Sequence, residues 1–306
     1  MDGQLGAEAA QEHGYKLLVG IGVATMRVAV LGTGTMGAGM ARSARREGLD
    51  VTVWNRTAER ARPLAADGIT VAGSVTEAVS AADAVITMLY DTDAVLAVTA
   101  ELVAALDGGA VWLQAATVGP GGIGRIAAAA GDATLLDAPV LGTKQPAEQG
   151  TLVPLVSGDP AAIDRVRPLL EAIGARTVVA GERLGDGSAL KLACNAWLAT
   201  ITAATAQSVA LARGLGVDPS LFLQAIDGGP VNSPYAQLKG GAMLARDWTP
   251  SFALDGLRKD IALVAGAAAD AGVDTTLADA LARVFAQASE RGHGADDIAA
   301  VVTAWD

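Results

Sequence analysis

A glycine pattern that directly follows a strand pattern constrains this sequence most. The apolar segment RVAVL (27–31) runs into Gly-x-Gly-x-x-Gly, and a helical pattern follows. A strand, a glycine turn and a helix in this order are typical of a dinucleotide-binding unit, because the first turn of the helix offers unpaired N–H groups to an anion. The cofactor contacts predicted for this turn are Gly32, Gly34, Thr35, Met36 and Gly37.

The same spacing recurs in TVGPGGIGRI, at Gly119, Gly121 and Gly124. Because the chain has 37 glycines among 306 residues, about 0.5 such matches are expected by chance. Pro120 would remove one N–H from this second cradle, and the segment falls in the middle of the predicted sheet, where a second dinucleotide would have no room. We interpret TVGPGG as a loop at the carboxyl end of a strand, with Thr117 near the nicotinamide end of the cofactor.

Short β-branched runs alternate with helical patterns from Met26 to about Gly181, which predicts a parallel sheet with helices on both faces. After Gly187 no strand pattern recurs. The predicted fold class is therefore α/β, a Rossmann-type doubly wound sheet followed by an all-α C-terminal domain. The strand candidates are RVAVL (27–31), VTVW (51–54), AVITML (84–89), AVWLQA (110–115), TLLDA (134–138), TLVPLV (151–156) and RTVVA (176–180).

One long helical pattern joins the two parts. It extends from Ser188, a candidate N-cap, to about Gly214, a candidate stop. Because it is apolar on most faces, it must be buried on nearly all sides, and we expect it to form the core of a homodimer or higher homo-oligomer. Shorter helical patterns follow near 255–271, 276–290 and 295–304. The predicted domains are 26–185 for NADP binding and 186–306 for substrate binding and dimerisation.

The end of the second strand predicts which dinucleotide binds. An Asp or Glu about 20 residues past the glycine pattern would bind the ribose of NAD and repel a 2′-phosphate. This sequence instead has Asn55, Arg56 and Thr57. A guanidinium without a neighbouring acid indicates NADP(H) in preference to NAD(H), although an ordinary surface arginine is the alternative for Arg56.

Composition argues against several function classes. The net charge of −11, with no basic cluster, is not that of a nucleic-acid-binding protein. Cys194 is the only cysteine, and His13 and His293 are the only histidines, so neither a metal site nor a histidine-dependent triad is expected. No stretch reaches the roughly 18 apolar residues of a membrane span. We expect a small-molecule substrate and no membrane or nucleic-acid partner.

Residues 1–25 differ from the rest of the chain. The segment LLVGIGVA (17–24) has the apolar character of a signal-peptide core, but Asp2, Glu8 and Glu12 precede it where a positive leader belongs. We expect residues 1–25 to be a disordered tail or an over-long start ahead of Met26, and the protein to be cytoplasmic.

The segment GDGSALKLACN carries the chemistry of the C-terminal part. Lys191 and Asn195 are four residues apart and therefore share one face of a helix. A lysine on an otherwise apolar helix is costly to bury. The pattern alone leaves two interpretations open: a functional ammonium, or a lysine whose stem extends to the surface.

Four motifs in order resemble the β-hydroxyacid dehydrogenase family, also called the 3-hydroxyisobutyrate dehydrogenase family, from Met26 onward. VAVLGTGTMGAGMA resembles its nucleotide fingerprint, and LDAPVLGTKQPAEQGTL its substrate tract, usually DAPVSGG. GDGSALKLACN is similar to its GxGxxxKxxxN catalytic motif, and SFALDGLRKDIAL to its closing KD motif. The substrate tract is most similar to the branch of glyoxylate and succinic semialdehyde reductases.

The resemblance implies a role for each matching residue. Lys191 would be the general acid/base, giving a proton to the carbonyl oxygen as hydride arrives from the nicotinamide. Asn195 would orient the substrate. Substrate contacts would be made by Leu141, Gly142, Thr143, Phe252 and Asp260. Cofactor contacts would be made by Leu89, Tyr90, Thr117 and Lys259.

Two departures leave alternatives open. Leu141 stands where the family has Ser, and Tyr90 where many members have Pro. Imine reductases share the implied architecture, and VTVWNRTAERARPL resembles their NADPH-binding strand, but they usually carry Asp or Tyr at the position of Lys191. A nucleotide-binding module without turnover is the remaining alternative.

Overall fold

A computed structural model describes residues 25–306. The expectations for residues 1–24, including the signal-peptide-like segment, lie outside the described residues. The strands are β1 Arg27–Leu31, β2 Asp50–Trp54, β3 Thr70–Val71, β4 Ala84–Thr87, β5 Val111–Gln114, β6 Thr134–Asp137, β7 Val140–Leu141, β8 Val153–Ser157 and β9 Val178–Gly181. The helices among them are α1 Thr35–Arg46, α2 Val75–Val79, α3 Thr92–Ala105, α4 Gly119–Ala130, α5 Lys144–Gln149, α6 Pro160–Arg165 and α7 Arg167–Ile173, with 3₁₀ turns at Ala58–Arg60 and Arg62–Asp67.

The strands form one sheet in the order β3-β2-β1-β4-β5-β6-β8-β7, with β9 beside β8. Pairing is parallel from β3 to β6, as predicted. Beyond β6 the prediction is wrong for β8, which is antiparallel to both β6 and β7, whereas β9 is parallel to β8. Only the short α5 separates β7 from β8, too little chain for the crossover that parallel neighbours need. The two-residue strands β3 and β7 were not predicted, since so few residues show no alternation.

The sheet is covered on both faces. In β1, Val28 and Val30 face a core that includes Met40 of α1, whereas Ala29 and Leu31 face the opposite core. Both faces of β1 are therefore apolar and buried, which is typical of a doubly wound sheet. The predicted fold class is confirmed.

Helices make up the rest of the chain. They are α8 Asp186–Gly214, α9 Ser220–Ile226, α10 Pro234–Ala245, α11 Leu254–Asp270 and α12 Thr276–Ala288, followed by a π turn at Ser289–His293 and a 3₁₀ helix at Ile298–Trp305. The sequence interpretation missed α9 and α10. The start of α10 carries a readable signal, because the Ser233 hydroxyl accepts from the Ala236 N–H and Pro234 occupies the first turn.

The long helix begins two residues earlier than predicted, and Gly185 rather than Ser188 is its N-cap. The last segment, predicted as helical near 295–304, is 3₁₀ rather than α. Among the helices within residues 25–306, none is long and apolar enough to cross a membrane.

Candidate active site

The first glycine pattern folds into an open cradle at the start of α1. Gly32 has φ +105°, and a Cβ on Gly37 would overlap the Gly32 carbonyl oxygen, so neither tolerates a side chain. Gly34 is the N-cap of α1 and has no side-chain cap. A Cβ at Gly34 would have no protein atom within 4 Å. The N–H groups of the first helical turn are therefore accessible to an anion.

A cavity of about 380 Å³ extends from this turn to the end of β2. The Asn55 side chain ties the two together: its Oδ1 accepts from the Thr33 N–H at 3.0 Å, and its Nδ2 donates to the Thr57 carbonyl at 2.9 Å. Arg56 lines the cavity as predicted, and Arg60 lines it as well, which the sequence interpretation missed. The spacing of four residues between the two arginines was the available signal.

The residues present fit a dinucleotide phosphate group. Gly34 leaves open space at the turn, where a Cβ would meet no protein atom within 4 Å, and Gly34 and Thr35 are exposed there. Two guanidinium groups and no carboxylate side chain line this cavity. Helix N–H groups without an intrahelical partner, beside cationic side chains, are the chemistry that phosphate oxygens satisfy.

A second cavity, of about 320 Å³, adjoins the first and shares Thr35, Met36, Met88, Leu89 and Tyr90 with it. We call it the reaction cavity. From the nucleotide-binding part it receives the predicted residues Leu89, Tyr90, Thr117, Gly142 and Thr143. From the helical part it receives Lys191, Phe252, Lys259 and Asp260. The nucleotide-binding part and the helical part, which are distant in sequence, therefore line the same cavity.

Lys191 projects from α8 into this cavity and is only 9% exposed. The surface-extended interpretation of this lysine is therefore wrong. Burial lowers the pKa of Lys191 below its usual range, the negative charge of Asp260 opposes this shift, and the positive charge of Lys259 adds to it. The result is an amine that loses its proton more readily than a lysine in water.

Asp260 links two side chains beside Lys191. Its Oδ2 accepts from Asn195 Nδ2 at 2.7 Å, and its Oδ1 lies 2.7 Å from Lys259 Nζ. Lys259 Nζ also donates to the Thr117 carbonyl at 2.8 Å, which bridges α11 to the loop after β5. Burial raises the pKa of Asp260, and the positive charge of Lys259 opposes that rise.

Two predicted residues lie away from the reaction cavity. Leu141 and Asn195 line a neighbouring cavity of about 920 Å³, which Gly142, Thr143, Lys191 and Phe252 line as well. The Asn195 amide donates to Asp260 and is 1% exposed. Spacing placed Asn195 correctly on the face of Lys191, but its hydrogen bond to Asp260 depends on α11, which spacing cannot show.

The first turn of α8 is held by a buried carboxylate. Asp137, at the end of β6, accepts from the Ser188 N–H and the Ser188 hydroxyl, both at 2.7 Å, and from the Gly185 N–H at 3.2 Å. A Cβ on Gly187 would lie 2.5 Å from the Leu155 carbonyl oxygen, so the helix approaches β8 closely. The Ser188 side chain thus joins α8 to the sheet, three residues before Lys191.

The second glycine pattern is helical, which corrects the prediction of a loop. Gly119 begins α4, and Pro120 occupies its first turn, where no N–H is needed. A Cβ on Gly119 would contact the side chains of Leu192 and Leu263, so this end packs against α8 and α11. Thr117, just before it, lines the reaction cavity as predicted.

Two family models together match most of the chain. Residues 27–181 match the NAD-binding domain of 6-phosphogluconate dehydrogenase, and residues 185–305 match the NAD-binding domain of NADP-dependent 3-hydroxyisobutyrate dehydrogenase. The fold, the glycine turn and these matches define the class: the protein is an NAD(P)-dependent oxidoreductase that acts on CH–OH groups.

Similarity to single proteins narrows the class. Glyoxylate/succinic semialdehyde reductase 2 of Arabidopsis thaliana, a chloroplastic protein, is 31% identical over 92% of this chain and 79% of its own length. The crystal structure of 3-hydroxyisobutyrate dehydrogenase from Salmonella typhimurium superposes with a TM-score of 0.83 at 28% identity, covering 91% of this chain and 99% of that one. An imine reductase from Streptomyces aurantiacus reaches a TM-score of 0.55 at 26% identity, covering 92% and 100%. The chain belongs to the β-hydroxyacid dehydrogenase family.

Proposed function

We propose that this protein interconverts a small β-hydroxyacid and its aldehyde or keto acid, of the semialdehyde or glyoxylate type, with NADP(H). The observation that carries the proposal is the burial of Lys191 in a cavity continuous with the one at the glycine turn. A buried amine that lines the reaction cavity, next to the cavity at the glycine turn, is placed to exchange a proton with a substrate that exchanges hydride with a nicotinamide.

The cofactor would be held by this chain's residues in three regions. The glycine turn and the first turn of α1 would bind the pyrophosphate through backbone N–H groups. Arg56 and Arg60 would bind the 2′-phosphate. Leu89, Tyr90 and Thr117 would flank the nicotinamide, which supplies or accepts the hydride.

Lys191 would act as the general acid in reduction and as the general base in oxidation. Its ammonium form would donate to the substrate's carbonyl oxygen and stabilise the developing alkoxide. Its lowered pKa brings proton release closer to neutral pH, so the neutral amine needed for oxidation is easier to form. Asp260 keeps the positive charge of the ammonium form compensated.

The substrate's carboxylate would be bound near Gly142 and Thr143, which line the reaction cavity together with Lys191. Phe252 would form an apolar wall. Asn195, whose amide is held by Asp260, would act on the substrate through that carboxylate rather than by direct contact. Leu141 would shape the neighbouring cavity instead of the carboxylate site.

A substrate panel with NADPH and NADP⁺ tests the proposal. It contains glyoxylate, succinic semialdehyde, 3-hydroxyisobutyrate, other short hydroxyacids and a cyclic imine. We expect NADPH oxidation with an aldehyde or keto acid, at least about 10³-fold loss of kcat in Lys191→Ala, and unchanged NADPH affinity. Equal activity in Lys191→Ala contradicts the assignment of the acid/base.

An imine reductase is the second candidate. It is favoured by the apolar Leu141 where the family has a hydroxyl, and by the similarity to a solved imine reductase. Turnover of the cyclic imine, with no turnover of any hydroxyacid or aldehyde, would establish it. Cofactor binding without turnover of any compound would instead indicate a nucleotide-binding module.

We also propose a homodimer, or a higher homo-oligomer, through the helical part. Large exposed apolar side chains concentrate there, among them Trp197, Leu211, Leu215, Leu221, Leu238 and Leu277. Large apolar side chains left exposed in one part of a chain favour an association surface there. Residues 26–185 would be the NADP-binding domain and 186–306 the substrate and dimerisation domain of a cytoplasmic enzyme. Light scattering that shows a stable, active monomer would contradict the proposed oligomer.

A further inference from the structure

One wall of the reaction cavity is a connection without regular secondary structure. Ser251, Phe252 and Ala253 line the cavity and lie between α10 and α11. We call residues 248–253 the strap. Apart from an isolated antiparallel bridge between Ala253 and Asp297, no helix or sheet ladder holds it, so its position depends on the side chains and backbone groups that bind it.

Asp297, at the N-cap of the last 3₁₀ helix, binds the strap directly. Its Oδ2 accepts from the Ser251 N–H at 2.9 Å, the Ser251 hydroxyl at 2.8 Å and the Phe252 N–H at 3.4 Å. Its Oδ1 accepts from the Ala299 N–H at 3.0 Å. The backbone adds two bonds, from the Asp297 N–H to the Trp248 carbonyl and from the Ile298 N–H to the Phe252 carbonyl, both at 3.0 Å.

Lys239, on α10, completes this cluster from the other side. Its Nζ lies 2.7 Å from Asp297 Oδ1 and donates to Ser251 Oγ at 3.1 Å. The side chains of the ion pair are 6% and 4% exposed. The Tyr235 ring lies 5.7 Å from the same ammonium group. The Ser251 hydroxyl therefore accepts a hydrogen bond from the Lys239 ammonium and donates one to the Asp297 carboxylate.

An ion pair this deeply buried is not explained by stability alone. Removing two charges from water costs about as much as the pair regains, and apolar residues of the same volume are often as stabilising. Burial alone would raise the pKa of Asp297, but the bonds from Lys239, Ala299 and Ser251 outweigh it and leave the pKa below its usual value. The carboxylate is thus held charged with its oxygens occupied, and three of its bonds determine where the strap lies.

We propose that the Lys239–Asp297 ion pair is a positioning device that holds Ser251 and Phe252 against the reaction cavity and so controls substrate affinity. This inference rests on the proposed function. The pair acts through the strap, and neither charged group lines the cavity. Lys239 and Asp297 are therefore positioning residues, and the aromatic ring of Phe252 is the group whose placement they determine.

The test compares Asp297→Asn and Lys239→Met with Lys239→Arg and with Arg213→Met. Arg213 pairs with Asp306 in the same C-terminal segment, but on the exposed surface, and serves as the matched control. We expect the first two variants to raise the substrate KM about 10-fold or more with unchanged NADPH affinity, because small displacements of positioning groups carry large kinetic costs. We expect Lys239→Arg to recover most of the loss and Arg213→Met to have no effect.

A double-mutant cycle with Phe252→Leu separates positioning from general loosening. If the ion pair acts through Phe252, the double variant Asp297→Asn/Phe252→Leu should have nearly the KM of Phe252→Leu alone. If the two substitutions act independently, their free-energy effects on KM should add. Ser251→Ala keeps the ion pair and removes only the bridging hydroxyl, so it tests the proposal even if the charge variants unfold. We expect it to raise KM several-fold. Unchanged KM in folded Ser251→Ala, or additive effects in the cycle, would overturn the proposal.

Hydrogen exchange gives a readout that does not need turnover. Asp297→Asn is expected to accelerate exchange of the Ser251 and Phe252 amides, and Arg213→Met is not. If the wild-type protein turns over no aldehyde or keto acid, the proposed function fails while the exchange still reports whether the pair anchors the strap. Unchanged exchange of the Ser251 and Phe252 amides in Asp297→Asn would show that the ion pair does not anchor the strap.

Discussion

The Asn195 amide donates to the Asp260 carboxylate at 2.7 Å, and this bond joins α8 to α11 beside the Lys191 amine. The two residues are 65 positions apart, yet the bond brings a negative charge next to the buried lysine. The electrostatics of the proposed acid/base therefore depend on how the helices pack.

The pH dependence of the two reaction directions should be opposite. Because the pKa of Lys191 is lowered, its ammonium form is lost below the pH at which free lysine deprotonates, near 10.5. The reduction rate, which needs the ammonium, should fall as pH rises through that pKa, and the oxidation rate should rise through it. Asp260→Asn should move both transitions to lower pH, since it removes the charge that favours the ammonium. Profiles of kcat/KM in both directions measure this, and parallel profiles would contradict it.

Gly34→Ala should disrupt cofactor binding without disrupting the fold. A Cβ at Gly34 meets no protein atom within 4 Å, but it would stand where a pyrophosphate approaches the backbone. We expect the NADPH dissociation constant to rise about 10-fold or more with unchanged thermal stability. Gly121, in the second glycine pattern, is equally open and provides the control. Similar losses of NADPH binding in Gly121→Ala would argue against our choice between the two patterns.

Arg56 and Arg60 should determine the preference for NADP(H). Replacing either with Gln removes a charge-assisted bond to the 2′-phosphate, which is worth about 10- to 100-fold in NADPH affinity, while NADH affinity should change little. Arg62, which pairs with Glu59 and does not line the cavity, is the control. The measurement is the ratio of the NADPH and NADH dissociation constants for the three variants. A ratio that is unchanged from wild type in the Arg56 variant would indicate that Arg56 is an ordinary surface residue.

Asp137→Asn should impair both stability and catalysis. The amide nitrogen cannot accept, so at least one buried N–H or hydroxyl donor on α8 loses its partner, which costs about 2–3 kcal/mol. The helix start would shift, and Lys191 lies one turn further on. Urea denaturation and kcat should both report the change.

Ser157→Ala, which removes the 2.9 Å bond from the Gly187 N–H but keeps the carboxylate, should cost less. Equal effects of the two variants would contradict the role assigned to the carboxylate.

Local sequence patterns were sufficient for the first half of the sheet and for the face of α8 that carries Lys191. They failed where partners are distant or elements are short. Ser188 looks like a helix cap but hydrogen-bonds Asp137, 51 residues earlier. The start of α10 was readable from Ser233 and Pro234 but was overlooked. The glycines of α4 matched a phosphate motif, although their end of the helix packs on α8.

The glycine turn, the strand–helix alternation and the shared face of Lys191 and Asn195 could be predicted from the residues alone, because each depends on spacing within a few residues. The antiparallel pairing of β8, the Asp137 anchor of α8 and the buried Lys239–Asp297 pair could be seen only in the folded chain. These contacts join residues 12 to 58 positions apart. Their geometry is set by the packing of whole helices and strands, which no local period encodes.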